Sequence, residues 1–323
     1  MSPASPNGSP PSAGSGTGTA STADYGKTAS FLAIGVGLTG VITYVYFFIA
    51  SHVLSTFDYG QITVLWSAVF ITISTLYRPI EQLLSRNIAQ HTVRGEPLGG
   101  TMRVASTIQL GLSLTFAVIA LALRGPIQDG VLEGNETLYW VFFSAVLFYA
   151  ASYFARGFLA GSKRFGLFVA LILSESCFRT IFAVLVAVSV LSGQSAVAIG
   201  IVAAPALSLM VVPFAFARRA KREQAAAPSQ AKDEGDSSVS MAKGGGFAAA
   251  VLVIMFSEQA FLNAGPIIIR GLEGAAEAGF IFNVLMLARA PLQLFQSVST
   301  SILPHLTTLH HSEAEDADRE FHH

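Results

Sequence analysis

Four ionisable side chains lie inside long apolar stretches of the sequence, where a charge needs a physical reason. Glu175 and Arg179 share one stretch, and Glu258 and Arg289 each lie near the centre of another. A charge at the centre of a membrane helix costs at least about 2.5–3.5 kcal/mol. Such residues pair with one another or line the path of a polar ligand. These four therefore direct the search for a functional site.

Glu175 and Arg179 are four residues apart, so a helix places them on one face, with the acid on the favourable N-terminal side. One interpretation is a self-neutralised pair that stabilises packing against a neighbouring helix. The other is a pair that faces a cavity and contacts or gates a substrate. The sequence leaves both open.

Glu258 and Arg289 belong to consecutive, antiparallel predicted helices, so we expect that they can meet across the helix interface. The pair would be structural, or Arg289 would bind an anionic headgroup while Glu258 couples transport by protonation. Asn263 follows Glu258 on the same helix and joins the candidate binding residues. Pro291 breaks the helix beside Arg289, and broken helices persist in membranes where they line water or protein.

A polar stripe closes the second predicted helix. Arg78 and Arg86 share one helical face, with Glu81 beside them, and Pro79 is expected to bend the helix. The stripe is either a snorkelling helix end or a cationic entrance for a pyrophosphate. Arginine suits the second role because its planar fork meets two phosphate oxygens at once.

Other site chemistries find little support. A single cysteine, Cys177, excludes a disulfide framework and multi-cysteine metal sites. The histidines at 310–311 and 322–323 lie in an acidic segment that we interpret as a solvated tail. There is no P-loop, no zinc motif and no paired-aspartate loop. We therefore expect no catalytic residues, no metal and no cofactor, and hence not an enzyme. A net charge of −1 argues against nucleic acid as a partner.

The composition indicates what must position these residues. Of the 323 residues, 52% are hydrophobic and 12% are charged, and the mean hydropathy is +0.56. Stretches of about 20 apolar residues suffice to span a bilayer as helices. We predict an all-α polytopic membrane helix bundle with about eight transmembrane helices, at about 28–54, 60–80, 104–123, 138–155, 165–190, 196–217, 247–269 and 280–303.

Basic residues concentrate in alternate connections, for example Arg156, Lys163 and Arg164 after the fourth predicted helix. The opposite connections are mostly acidic. By the positive-inside rule, both termini lie in the cytoplasm. The expected location is the plasma (inner) membrane, in a multi-pass arrangement.

The chain is expected to divide into segments and repeated lobes. We predict a disordered tail at 1–26, a six-helix first lobe at 27–217, a cytoplasmic linker at 218–246, the first two helices of a second lobe at 247–309, and an acidic, histidine-containing tail at 310–323. At an offset of 219 positions, Asp58-Tyr59-Gly60 falls on Glu277-Ala278-Gly279. A second lobe matching the first would then continue to about position 436, with roughly four helices missing. A native eight-helix protein is the alternative.

The pattern STFDYGQITVLW followed by RPIEQLLSRNIAQHTVRGE, and the later stretch from NAGPIIIRGLEGAAEAGF onward, resemble polysaccharide-biosynthesis membrane proteins. These are the O-antigen and teichoic-acid exporters of the multidrug, oligosaccharidyl-lipid and polysaccharide exporter superfamily. The resemblance covers about 27–310. It implies two lobes around a central cavity and a lipid-linked saccharide as substrate.

The leading functional hypothesis is a flippase for a lipid-linked oligosaccharide or polysaccharide precursor, working by alternating access through a cationic interlobe cavity. Membrane lipid, a polyprenyl-linked saccharide, and glycosyltransferases and a polymerase of the same pathway are its expected partners. One alternative is a cation-coupled multidrug exporter of the same superfamily. The other is an inactive truncated fragment or a membrane assembly partner.

Overall fold

The computed structural model describes residues 18–95, 97–211, 213, 241–289 and 291. Within these ranges the chain forms ten α-helices, one short 3₁₀ turn at Leu209–Val211, and no strand. The helices are α1 (Gly18–Val53), α2 (Thr56–Leu76), α3 (Arg78–Arg94), α4 (Gly99–Ala122), α5 (Arg124–Gly130), α6 (Glu136–Gly161), α7 (Phe165–Ala187), α8 (Gly193–Ser208), α9 (Met241–Glu273) and α10 (275–289).

The part of the chain that the structure describes contains six helical stretches long and apolar enough to cross a membrane. They are Ser30–Val53, Thr56–Thr92, Gly99–Ala122, Glu136–Gly161, Phe165–Ala187 and Leu252–Glu273. The fold is therefore an all-α polytopic membrane helix bundle, as the sequence predicts.

The structure corrects the predicted boundaries in several places. In the sixth predicted helix, α8 ends at Ser208 and a 3₁₀ turn follows, while residues 212 and 214–217 of that prediction lie outside the described residues. Residues 18–26, predicted as tail, belong to α1, and residues 241–246, predicted as linker, belong to α9. The described part of the eighth predicted helix is α10. The rest of that helix, the remainder of the linker and both outer tails lie outside the described residues.

The second predicted helix is two helices. It ends at Leu76, and α3 starts at Arg78 with Pro79 in its first turn, where the missing proline N–H costs nothing. Pro79, where a bend is predicted, lies directly after this break. Hydrogen bonds from Tyr77 N to Ile73 O and from Glu81 N to Tyr77 O carry the backbone across it. Together the two helices form one apolar stretch, Thr56–Thr92, that is long enough to cross a membrane.

The described residues from 35 to 291 belong to one compact unit, whereas 18–34, the first part of α1, belong to another. Within the larger unit, α6 is central: it packs against α2, α3, α4, α7 and α8. Its buried side chains include Tyr139, Phe142, Tyr149 and Tyr153. The Tyr139 hydroxyl donates to Ala120 O of α4 at 2.9 Å, so this buried aromatic keeps a polar partner.

Two glycines four residues apart on α6 bring α3 close. A Cβ added at Gly157 would lie 2.8 Å from Glu81 O, and one added at Gly161 would lie 2.6 Å from Ser85 O. Small residues at this spacing let membrane helices approach until their backbones touch. The α3–α6 contact therefore fixes the height of Glu81 along α6.

Gly60 of α2 and Gly279 of α10 lie against each other. A Cβ at Gly60 would overlap Ala275 O, and one at Gly279 would lie 3.2 Å from Gly60 Cα. The 219-position offset pairs these two glycines. The contact is also reciprocal: α9 packs on α2, while Phe282 of α10 packs on Phe47 of α1, with 4.6 Å between ring centroids. Two helix pairs related by a local two-fold axis would meet in this way. The contact supports the repeat, which stays a prediction.

The glycine contact predicts a destabilised Gly60→Ala variant. The added methyl group has to displace the α10 backbone, and overpacking of this kind costs about 1–3 kcal/mol. Gly111→Ala is the matched control, since nothing lies within 4 Å of a Cβ added there in α4. Thermal unfolding in detergent should show a lower midpoint for Gly60→Ala and no loss for Gly111→Ala. Equal midpoints for the two variants would contradict the close approach of α2 and α10.

Candidate functional site

Glu175 of α7 is 5% exposed and binds an arginine from α6. The Arg156 Nη2 atom lies 2.6 Å from Glu175 Oε2, and the Ser152 hydroxyl donates to the same oxygen at 3.1 Å. Ser152 and Arg156 are one helical turn apart, so α6 presents both to α7. The guanidinium of Arg156 also stacks over the Tyr153 ring at 4.7 Å. The buried carboxylate is thus neutralised and hydrogen-bonded.

Arg179, one turn further along α7, is 2% exposed and has a different set of partners. Its guanidinium donates to the Tyr149 hydroxyl of α6 at 3.3 Å and to the Thr43 hydroxyl of α1 at 2.9 Å. It also lies over the Trp66 ring of α2, 4.4 Å from the centroid, and 5.6 Å from that of Tyr46. Aromatic faces and hydroxyl oxygens together surround this buried cation.

The self-neutralised Glu175–Arg179 pair is therefore not the observed arrangement. The two side chains share a face, as their spacing predicts, but Glu175 takes its cation from Arg156. The sequence analysis places Arg156 in a connecting loop, whereas α6 continues through it to Gly161. The four-residue spacing of Ser152 and Arg156 is the signal that could have revealed this polar face.

Arg289 of α10 is half-buried and donates from Nη1 to Asn263 Oδ1 of α9 at 3.1 Å. Asn263 is 4% exposed, and its amide nitrogen donates to the Gln259 backbone oxygen at 3.1 Å and lies 3.3 Å from Gln259 Oε1. Gln259, 2% exposed, is a member of the site that the sequence analysis missed. Its position four residues before Asn263 marks the shared face. The two predicted binding residues Asn263 and Arg289 therefore do meet.

The expected Glu258–Arg289 contact does not form. Glu258 is exposed, because α9 turns the next residue, Gln259, and then Asn263 toward the other helices. Residues five apart on a helix point about 140° away from each other. Asn263, and not Glu258, therefore faces Arg289.

The polar stripe of the second predicted helix, formed by Arg78, Glu81 and Arg86, lies in the first half of α3. Arg78 and Arg86 are exposed there, while Glu81 is half-buried. The charge of Glu81 acts on Arg156, so Glu81 and Glu175 both contribute negative charge around that guanidinium. The structure thus half-buries Glu81 and leaves the two arginines exposed.

A second polar cluster, absent from the predicted site, joins α9 to the turn between α5 and α6. Arg270 lies 3.3 Å from Glu133 through its Nε atom and donates from Nη1 to the Gly130 carbonyl. Gln61 of α2 donates to Glu133 Oε2 at 2.9 Å, and Gln194 of α8 donates to Gln61 Oε1 at 2.6 Å. Residues from four parts of the chain therefore meet at one end of the bundle.

Two cavities lie along α10. The larger, of about 530 Å³, is lined by Thr56, Ile269, Glu273, Ala276, Glu277, Phe280 and Ile281. The smaller, of about 250 Å³, is lined by Tyr44, Phe47, Phe48, Ser51, His52, Asn283, Met286 and Leu287. Neither is lined by Arg179 or Arg289, so neither corresponds to the expected cationic cavity. In the described ranges, no group of three or more histidine, cysteine, aspartate or glutamate side chains could hold a metal ion.

The buried pair predicts a large effect for Glu175→Gln. Removing one partner leaves the Arg156 charge buried and uncompensated, which costs about 3–5 kcal/mol. The control is Glu136→Gln, which breaks the Arg124–Glu136 pair. That pair is 2.7 Å long, its side chains are 42% and 63% exposed, and its loss should cost less than about 1 kcal/mol. Unfolding by denaturant in mixed micelles measures both. The double variant Arg156→Gln with Glu175→Gln should recover part of the loss, and strict additivity would contradict the pairing.

The chain was also compared with known proteins. No protein-family model matches it, and no curated protein and no solved structure matches it. Its function therefore has to be argued from its own residues.

Proposed function

We propose that the chain is a membrane transporter that moves a lipid-linked, anionic saccharide precursor across the bilayer by alternating access. The observation that carries this proposal is the burial and the hydrogen bonding of Arg289. A half-buried guanidinium lies among apolar helices, and within the described residues its hydrogen-bond partner is the neutral amide of Asn263. A guanidinium has five N–H donors, so most of them stay available to an anion.

A phosphate-bearing headgroup matches this donor set. Arginine recognises phosphate through two parallel hydrogen bonds, and these are about twice as strong as neutral ones. Asn263 is itself held by Gln259, so its oxygen orients the guanidinium without cancelling its charge. An arginine held by a carboxylate would have lost most of its attraction for a phosphate.

The surroundings of the carboxylates support an anionic over a cationic substrate. Glu175 is bonded to Arg156, and Glu81 lies in the field of the same arginine. Glu258 points away from the other helices. A site for cationic drugs would need a carboxylate that faces inward and is free to bind, and these three acids do not provide one. Glu273 and Glu277, which line the larger cavity, are exposed. The multidrug alternative is therefore the weaker proposal.

The entrance, the topology, the membrane and the partners in this proposal rest on the amino-acid sequence. The exposed Arg78 and Arg86 would form the cytoplasmic entrance for a pyrophosphate, with both chain termini in the cytoplasm and the protein in the plasma membrane. Arg179 is too buried to touch a ligand in this conformation, so its role is to hold the helices around it. Glycosyltransferases and a polymerase of the same pathway would supply and use the substrate.

This function predicts that Arg289→Gln weakens binding of a polyprenyl pyrophosphate. The full chain in lipid nanodiscs would be titrated with that lipid and with the matching polyprenyl alcohol. Loss of charge-assisted hydrogen bonds worth about 1.5–3 kcal/mol corresponds to an affinity loss of about 10- to 150-fold. The alcohol should bind both proteins equally.

Arg103→Gln is the matched control, because it removes an exposed arginine at the start of α4, away from the site. It should leave both affinities unchanged. Equal affinity of the wild-type chain for the pyrophosphate and the alcohol would contradict an anion site. In liposomes, a fluorescent polyprenyl pyrophosphate that never becomes accessible from the other leaflet would contradict transport even if binding is found.

A further inference from the structure

Arg270 connects α9 to the polar cluster at one end of the bundle. Its Nε atom lies 3.3 Å from Glu133 Oε1, and its Nη1 donates to the Gly130 carbonyl. The side chains of Arg270 and Glu133 are 14% and 22% exposed. Two other described members of the cluster, Gln61 and Gln194, belong to α2 and α8. A mostly buried ion pair therefore joins α9 to the turn between α5 and α6.

The carboxylate that binds Arg270 is positioned by side chains from other helices. Glu133 Oε2 accepts a hydrogen bond from Gln61 Nε2 at 2.9 Å, and Gln61 Oε1 accepts one from Gln194 Nε2 at 2.6 Å. The Gln194 amide is fixed in turn, because its oxygen accepts from Asn135 Nδ2 at 3.1 Å. Every donor in this chain points toward the carboxylate, so the successive hydrogen bonds strengthen one another. Glu133 would keep this support if Arg270 moved away.

The backbone of the turn also holds the carboxylate in place. Glu133 has a φ of 53° and Gly134 has a φ of 74°, both in the left-handed region that favours glycine. The turn is fixed by its surroundings, since Leu132 is 2% exposed in the core and Gly134 N donates to Gln128 O at 2.8 Å. A non-glycine residue in this conformation points to a role for its side chain. Here the side chain binds Arg270.

The ion pair lies beside the closest approach between α2 and α10. Gln61 directly follows Gly60, and Gly60 lies against Gly279. Glu133 lies between the apolar spans of α4 and α6, and Arg270 is three residues before the end of the α9 span. Both charges are therefore near the membrane surface, where they can regain water when they separate. Breaking this pair costs less than breaking an ion pair at the bilayer centre.

We propose that the two contacts of Arg270, with Glu133 and with the Gly130 carbonyl, form a latch that closes the non-cytoplasmic end of the bundle. The latch opens when α9 and α10 move away from α2 and the α5–α6 turn. It closes again because the groups that bind Arg270 stay in place. The positive-inside rule assigns this end to the non-cytoplasmic side. The latch rests on the proposed function, since alternating access requires each end to open in turn.

A buried cysteine on the face of α2 that carries Gly60 measures the opening. Ser67 lies seven residues after Gly60, and hence on the same helical face, and it is 1% exposed. Ser67→Cys in a Cys177→Ser background gives one reactive thiol, because Cys177 is the sole cysteine of the chain. A membrane-impermeant maleimide would be added to sealed right-side-out vesicles and, separately, to inside-out vesicles. The labelling rate follows the population of the open state when opening and closing are fast.

Loss of the latch should open this end more often. We expect Arg270→Gln to raise the labelling rate about tenfold or more in right-side-out vesicles, because a charge-assisted contact is lost. Glu133→Gln should act in the same direction, and the double variant should not exceed Arg270→Gln, since both changes break one ion pair. Arg270→Lys should give an intermediate rate, because it keeps the charge without the two-point contact of a guanidinium. Arg124→Gln is the matched control and should leave the rate unchanged, because its partners Gln128 and Glu136 belong to α5 and α6.

A second cysteine separates opening from unfolding. Ser176→Cys, in the same background, is also at a 1% exposed position but lies in α7, which packs on α6 and α8, and its labelling should stay slow in every variant. Unchanged labelling of Ser67→Cys in Arg270→Gln would overturn the latch. A rise confined to inside-out vesicles, or an equal rise at both cysteines, would overturn it as well. The assay contains no saccharide lipid, so a failed latch leaves the Arg289 binding prediction intact, and failed transport leaves the latch intact.

Discussion

The buried charge of Arg179 is the constraint on which the relative arrangement of α1, α2, α6 and α7 depends. A guanidinium removed from water loses its hydration, and protein groups have to replace it. Here the replacements come from three other helices: Thr43 of α1, Trp66 of α2 and Tyr149 of α6. Because a single planar group contacts all three, a shift of any one helix along its axis would break a hydrogen bond or a cation–π contact. The charge therefore fixes the relative heights of α1, α2, α6 and α7.

The second buried arginine, Arg156, lies where α3 approaches α6, so the fixed helix heights extend to α3. Arg156 neutralises Glu175, while the two small residues beside it, Gly157 and Gly161, let the α3 backbone approach. Polar pairing and close packing thus act at the same level of α6.

By contrast, α9 and α10 join the earlier helices through the Gly60–Gly279 contact, the Tyr59 hydroxyl bonded to Asn283, and the Arg270–Glu133 pair. If the proposed alternating access operates, the interface between α9–α10 and the earlier helices is where the described helices can separate without exposing Arg179.

The sequence predicts the helices well and their rotation poorly, for one physical reason. Long apolar stretches identify membrane helices because a bilayer demands them. In such helices, however, both the lipid-facing and the protein-facing sides are apolar, so hydrophobic periodicity does not reveal the inward face. This explains why the sequence predicts Glu258 as the partner of Arg289, whereas the structure shows Asn263 in that place. The spacing of Glu175 and Arg179 correctly places them on one face, but Arg156 comes from another helix, and no local pattern encodes that pairing.

Glu258 and Arg289 show how placement separates two residues that look alike in sequence. Both are single charges in apolar stretches, and each needs compensation at similar energetic cost. Arg289 turns toward α9 and receives a neutral amide, which holds the side chain and leaves its charge available to a ligand. Glu258 lies on the other side of α9 and is exposed. The rotation of α9, which turns Asn263 and not Glu258 toward Arg289, therefore decides which of the two charges has a hydrogen-bond partner among the described residues.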